Sequence, residues 1–268
     1  MTMTNYNYFC SNFIKRRLYS SSSCEADCKY CFSKWNKVYN GQPTMLSERI
    51  HDDISIVYPC CDGDIINDKK GLAVLWQLVN NSKRIIVSMS TKCILKEDIM
   101  NALVDINNYL AINEKGFVKL SISLSTKSMV EDIEENALPY ARRFDLLRQM
   151  KELGFHTSVT IKPILPFVPN EEYFEILDDC RSVVDRVLIG GLYVDRNTEF
   201  YRCYIKDKYN ITKRRVQWLN GHPIWDYVDQ EEKIKQIYTY GVSRNLLIFD
   251  TDVDLIKSFL AEANSKVS

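Results

Sequence analysis

Histidine is scarce in this chain: His51, His156 and His222 stand far apart, so no H-x3-H metal pair exists. An excess of charge is missing as well, since 35 basic side chains face 35 acidic ones. That balance supplies no strong global field for nucleic acid or an anionic membrane, although local patches stay open. No apolar run approaches the roughly 18–20 residues of a membrane span. The opening Met1-Thr-Met-Thr-Asn-Tyr-Asn-Tyr8 lacks the apolar core of a secretory signal. No repeat, low-complexity tract or linker stands out. A soluble, cytoplasmic protein without membrane contact is expected. In such a reducing setting nine cysteines point to metal chemistry, not disulfides. With 46% apolar residues over 268 positions, one large core or a core with a small appendage can form.

Three of the cysteines lie in Ser23-Cys24-Glu25-Ala26-Asp27-Cys28-Lys29-Tyr30-Cys31-Phe32. The spacing C-x3-C-x2-C lets one short loop bring three thiolates to three corners of an iron–sulfur cube. A [4Fe–4S] cluster normally takes four Cys ligands, so three leave one iron open to a ligand that is not protein. Zinc is the competing reading, giving a metal-stapled binding protein without chemistry. Structural zinc needs four closed ligands, however, and no second C-x2-C pair is present.

From about residue 15 to 191, short β-branched runs alternate with amphipathic stretches, the pattern of βα units around a parallel sheet. The predicted strands are Arg17–Ser21, Ile54–Pro59, Ile85–Ser90, Val118–Leu124, Thr157–Pro163 and Arg186–Gly190. The predicted helices are Asp68–Asn80, Glu97–Leu110, Tyr140–Leu153 and Glu171–Val183, with Gly154 as a helix stop. Six units make a partial (β/α)6 barrel, an open relative of the eight-unit barrel, over residues 1–191. Residues 192–268 form a helical or irregular extension, a lid or cap, with helices at Glu231–Tyr240 and Asp252–Ala263 flanking the apolar run Leu246–Phe249. Within it, Tyr201–Trp225 interleaves basic and aromatic residues, a composition that suits either a solvated cap or a nucleic-acid track. Active residues of such barrels gather at the C-terminal ends of strands, and the cysteine loop follows the first one.

With Tyr30 before the third cysteine and Phe32 after it, the loop resembles that of the radical S-adenosylmethionine (radical SAM) enzymes. Further phrases resemble the spore photoproduct lyase-like branch: Val87-Ser-Met-Ser-Thr-Lys92, Leu120-Ser-Ile-Ser-Leu-Ser-Thr126, Glu134-Glu-Asn-Ala-Leu-Pro139 with Arg142-Arg143, and Lys162-Pro-Ile-Leu-Pro166. The resemblance implies a cluster on Cys24, Cys28 and Cys31 whose open iron chelates SAM. Reductive cleavage of SAM would then yield a 5′-deoxyadenosyl radical that abstracts hydrogen from a substrate. It further implies an external electron donor of flavodoxin or ferredoxin type. A nucleic-acid base or nucleotide is the first substrate reading and a ribosomally made peptide the second.

The same resemblance assigns site residues. Lys92 would meet the SAM carboxylate, a task that suits a compact ammonium. Ser123 and Ser125 would bind the ribose, and Tyr30 would lie against the adenine, with Phe32 beside it. In Cys60-Cys61-Asp62-Gly63-Asp64, Gly63 with Asp62 or Asp64 would accept the SAM ammonium. Cys61 matches the cysteine that returns hydrogen to the product radical in the lyases; packing or auxiliary metal ligation are its other readings. One departure concerns Phe32, where the lyases carry a tyrosine implicated in radical relay. Phenylalanine has no O–H to give.

Overall fold

The computed structural model describes residues 14–19, 24–35, 44–45, 55–59, 69–216 and 223–265. In chain order the strands and helices are β1 (Ile14–Tyr19), β2 (Thr44–Met45), β3 (Ser55–Tyr58), α1 (Lys69–Asn81), β4 (Ile85–Thr91), α2 (Glu97–Ile112) and β5 (Gly116–Ser123). They continue with α3 (Val130–Ile133), α4 (Tyr140–Glu152), β6 (His156–Ile161), α5 (Asn170–Arg181), β7 (Arg186–Ile189) and β8 (Tyr193–Val194). The last are β9 (Ile211–Arg215), β10 (Ile224–Val228), α6 (Glu231–Ser243), β11 (Leu247–Phe249) and α7 (Asp252–Ser265).

All six predicted strands appear as β1, β3, β4, β5, β6 and β7, paired in parallel in that order. From β3 onward helices on the outer face connect them, as expected of a partial (β/α)6 barrel. The apolar run Leu246–Phe249 adds one more strand: β11 pairs in parallel with β7, while β2 lies antiparallel on β1 at the other edge. A second sheet, β8-β10-β9, is antiparallel and stands apart from the barrel. In sequence it reads as irregular, because its strands are short and the run of Lys213, Arg214 and Arg215 puts charge on both faces of β9.

Period-2 alternation sends β-strand side chains to opposite faces. Ile85, Val87 and Met89 of β4, with Val118, Leu120 and Ile122 of β5, pack under the outer helices with Leu75, Val79, Leu103 and Leu147. Ile86, Phe117 and Leu188 point inward and meet Leu255, Ile256, Phe259 and Leu260 of α7. One helix therefore plugs the inner side while the others clothe the outside. Both faces are buried, which accounts for the near-continuous burial of β4 and β5.

Helix ends follow local chemistry. After α4, Gly154 takes φ +83°; its N–H bonds Lys151 C=O and that of Phe155 bonds Met150 C=O. This pair of bonds is the Schellman closure, and the left-handed residue in it favours glycine. No helix among the described residues is long and apolar enough to cross a membrane.

Candidate active site

The cysteine loop follows β1 and is closed by its own backbone. Cys31 N–H bonds Cys28 C=O at 3.1 Å, and Lys34 N–H bonds Cys31 C=O at 3.2 Å. Asp27 adopts a left-handed φ of +42°, tolerable for Asp, which turns the chain into Cys28. Lys34 braces this turn by bonding Asp27 C=O at 2.9 Å. Cys28 is buried, whereas Cys24 and Cys31 are half-buried. Burial pushes the Cys28 thiol up; the Lys92 ammonium opposes that, and Glu134, Cys31 and Cys24 add to the rise. Cys28 is thus close enough to both Cys24 and Cys31 to feel their charge.

The loop is docked on the barrel rim by one buried polar cluster. Lys29 N–H donates to Ile133 C=O at 2.9 Å. Tyr30 O–H donates to Glu134 Oε1, and Lys92 Nζ donates to the Tyr30 hydroxyl. Lys92 also lies 2.5 Å from Glu134 Oε1 and 3.3 Å from Ser125 Oγ. On the far side of the carboxylate, Arg143 Nη2 sits 2.7 Å from Glu134 Oε2, an ion pair bent away from ideal hydrogen-bond alignment. The same guanidinium donates to Ser123 C=O at 3.0 Å and Leu138 C=O at 2.6 Å. Glu134 and Arg143 are both fully buried. Burial alone would lower Lys92, but Cys28 and Glu134 outweigh it and its pKa is raised. Burial likewise opposes ionisation of Glu134, and Lys92 with Arg143 outweigh it, holding the carboxyl below its usual value. Tyr30 stays a protonated phenol, pushed well up by burial and then by Glu134 and Cys28.

Two cations therefore share one carboxylate, leaving one buried positive charge in surplus beside Cys28 among the described residues. A buried unpaired charge is expensive. A [4Fe–4S]2+ core carrying three thiolates has one net negative charge, so the donor set and its surroundings fit such a cluster. A single four-coordinate zinc ion asks for something else, thiolates about 3.8 Å apart around one point by tetrahedral geometry. Among the described residues no three His, Cys, Asp or Glu side chains are gathered so as to hold a metal ion.

The structure brings Cys28, Tyr30, Lys92 and Ser125 together, and Ser123 joins through its carbonyl. Because β5 ends at Ser123, Ser125 lies beyond the regular alternation that would put both side chains on one strand face. Tyr30 meets Phe200 edge to face at 6.0 Å. Phe32 points away from the cluster toward Trp225 of β10, at 5.8 Å, and Trp35 meets the same indole at 4.5 Å. Cys60, Cys61, Asp62, Gly63 and Asp64 lie outside the described residues, as does Trp218. The basic residues of Tyr201–Trp225 are largely engaged: Lys213 pairs with Asp226 at 3.0 Å and Arg214 with Glu231 at 2.5 Å. Tyr204 packs on Phe167 and Phe200. Reading by sequence passed over the roles of Glu134 and Arg143, although both stand in a family-like phrase; the signal available was a carboxylate and an arginine nine positions apart across a turn.

Fold and loop together define a class: an open parallel barrel with a three-cysteine loop at the C-terminal ends of its strands. Solved structures of spore photoproduct lyase share this fold. One variant with bound AdoMet and dinucleoside spore photoproduct superposes with a TM-score of 0.58 at 12% identity, covering 84% of this chain and 73% of that one. A cysteine-to-serine mutant gives 0.59 at 12% identity, over 94% of this chain and 80% of that one. The same enzyme complexed with dinucleoside spore photoproduct gives 0.58 at 12% identity, over 86% of this chain and 75% of that one. No family model matches the sequence, and no curated protein matches it.

Proposed function

We propose that this chain is a radical SAM enzyme acting on a nucleic-acid base or nucleotide. The observation that carries the reading is the surplus buried cation of Lys92, Arg143 and Glu134 beside a loop of three thiols. When bound, a [4Fe–4S] cluster and SAM supply a 5′-deoxyadenosyl radical for hydrogen abstraction, with the electron coming from a flavodoxin- or ferredoxin-type donor. Cys24, Cys28 and Cys31 hold the cluster. Lys92 serves the SAM carboxylate. An ammonium has three N–H donors, and here all three are taken by Tyr30, Glu134 and Ser125. The 3.3 Å contact to Ser125 is the longest and is the one exchanged when a carboxylate arrives. Ser125, once released, turns to the ribose with Ser123. Tyr30 keeps its proton and anchors the loop, and Gly63 with Asp62 or Asp64 takes the SAM ammonium.

Support for the substrate class is the likeness of fold to an enzyme that binds a dinucleoside lesion. Phe32 cannot relay hydrogen, so the lyase route through that position is closed and Cys61 is the proposed donor to the product radical. The test is direct. Anaerobically reconstituted protein should hold iron and sulfide at about four each, and on reduction with SAM it should release 5′-deoxyadenosine. Cys28→Ala should end that release; continued cleavage would remove the cluster assignment. Cys61→Ala should cleave SAM yet alter the product, and an unchanged product would remove its donor role.

A further inference from the structure

The inner face of the barrel changes character along its height. Its lower part is apolar and filled by α7, whereas β4, β5 and β6 present Ser88, Ser90, Lys119, Ser121, Ser158 and Thr160 above it. α7 begins where the change occurs: Asp252 pairs with Lys119 at 2.5 Å and accepts from Ser88 Oγ at 2.7 Å. Ser121 and Ser158 bond each other at 2.6 Å. Those charges and hydroxyls are satisfied. Three groups nearer the C-terminal ends of these strands have no side-chain partner among the described residues. Ser90 Oγ and Thr160 Oγ1 are buried with no hydrogen-bond partner, and Thr160 is only 8% exposed. Lys162, two residues beyond Thr160 at the C-terminal end of β6, forms no ion pair among the described residues. Among the described residues its ammonium donates to the backbone C=O of Asp250, at 2.6 Å.

The position of Lys162 is built. Its stem crosses the backbone of Gly190 at the end of β7, where an added Cβ would come within 2.3 Å of Lys162 Cε. Lys119 is spent on Asp252, and Lys162 is the cation of this face held in no ion pair among the described residues, with the Asp252 and Asp250 carboxylates at longer range. The geometry points to an anion-binding subsite on the inner barrel face, where Lys162, with the hydroxyls of Ser90 and Thr160, grips the phosphodiester of a nucleotide substrate. This rests on the nucleic-acid reading above and adds the part of the substrate that is recognised. A point-like ammonium with flanking hydroxyl donors suits phosphate oxygens, while planar carboxylates are better met by an arginine fork. One cation also matches the single charge of a phosphodiester.

The experiment uses the full chain, reconstituted and with SAM, titrated calorimetrically with two probes. One is thymidylyl-thymidine with its phosphodiester; the other is the methylphosphonate analogue, whose bridge is uncharged. Wild type should prefer the charged probe by roughly ten- to hundredfold, the span of one hydrogen bond to a charged group. Lys162→Met should erase the preference while keeping affinity for the neutral probe, and Lys162→Arg should restore part of it. Gly190→Ala should weaken the preference with the ammonium still present, which covers the case in which Lys162→Met fails to fold. Burial lowers the Lys162 pKa to about 8, with Asp252 and Asp250 opposing and Lys119 assisting. Anion binding raises it again, so the preference should fade only as pH climbs past about 8. Equal affinity for both probes, or an unchanged preference in Lys162→Met, overturns the phosphate grip and leaves the nucleotide reading standing. Binding of neither probe overturns the nucleotide reading itself. In that case Lys162-dependent binding of a peptide through its terminal carboxylate would reassign the subsite.

Discussion

Glu134 carries two cations on one carboxylate, and both its oxygens are used within a fully buried cluster. Removing one partner of a buried ion pair costs about 3–5 kcal/mol, because the remaining charge is left uncompensated. Glu134→Gln is therefore expected to lower the unfolding free energy by about that much in a urea titration. Breaking the exposed Arg148–Asp145 pair with Asp145→Ala should leave the same titration unchanged. The pH dependence has a definite sign. Burial alone would raise Glu134; Lys92 and Arg143 outweigh it and depress the carboxyl. A depressed carboxyl contributes stability that is present above the unfolded value of about 4.3 and lost as pH falls through the folded one. The gap between wild type and Glu134→Gln should accordingly shrink on acidification below about pH 4.3. A gap that stays constant from pH 7 to 3 would contradict the ionised cluster. Lys92 is the mirror case, since its raised pKa withdraws stability only as pH rises past about 10.4.

At the scale of elements, α7 acts as an internal plug and α4 ends on a conformational requirement. Phe259 stands between Phe117 at 6.2 Å and His156 at 4.8 Å, with the Arg186 guanidinium 4.1 Å above its ring. Phe259→Ala empties that layer, and truncations of this size cost about 3–5 kcal/mol. Hydrogen exchange should report the loss in β5 and β6 together, because the ring touches both. Protection lost in α7 alone would mean that the helix only lies against the barrel. Gly154→Ala forces an L side chain into φ +83°, with open space around it, so backbone strain is the whole effect. A loss of about 1 kcal/mol is expected, read as a shifted denaturation midpoint at unchanged slope.

Across the whole molecule, the antiparallel sheet β8-β10-β9 reaches back to the cysteine loop through the Trp225 indole. Trp225 contacts Phe32, Trp35 and Tyr193, and Tyr193 in turn meets Tyr227. The loop is thus held from two sides, by the buried ion cluster on the barrel and by aromatic packing on the small sheet. Trp225→Ala should speed proteolytic cleavage within residues 24–35 while leaving cooperative unfolding of the barrel in place. Limited proteolysis with mass spectrometry reads the first, and the urea titration reads the second. Unaltered cleavage would show that the ion cluster alone secures the loop.

Local rules carried a good part of this far. Period-2 and period-3.6 patterns place β4 through β7 and their helices within three residues of where they are, and Gly154 marks a helix end, because each of those signals lies within one turn or one strand. The C-x3-C-x2-C spacing likewise puts three thiols on one loop without reference to the rest of the chain. What only the tertiary structure decided are encounters between distant segments. Tyr30 and Glu134 are 104 positions apart, Lys92 and Glu134 42, and Ser88 and Asp252 164. Leu247–Phe249 reads as a bare apolar run until β7 offers it an edge, and Asp252–Ser265 reads as one more amphipathic helix until the barrel presents an inner face to fill. Which charges end up sharing a buried space depends on how the sheet curls. No spacing along the chain encodes that, so the surplus cation beside Cys28 and the placement of the Lys162 ammonium on the Asp250 carbonyl become visible only in three dimensions.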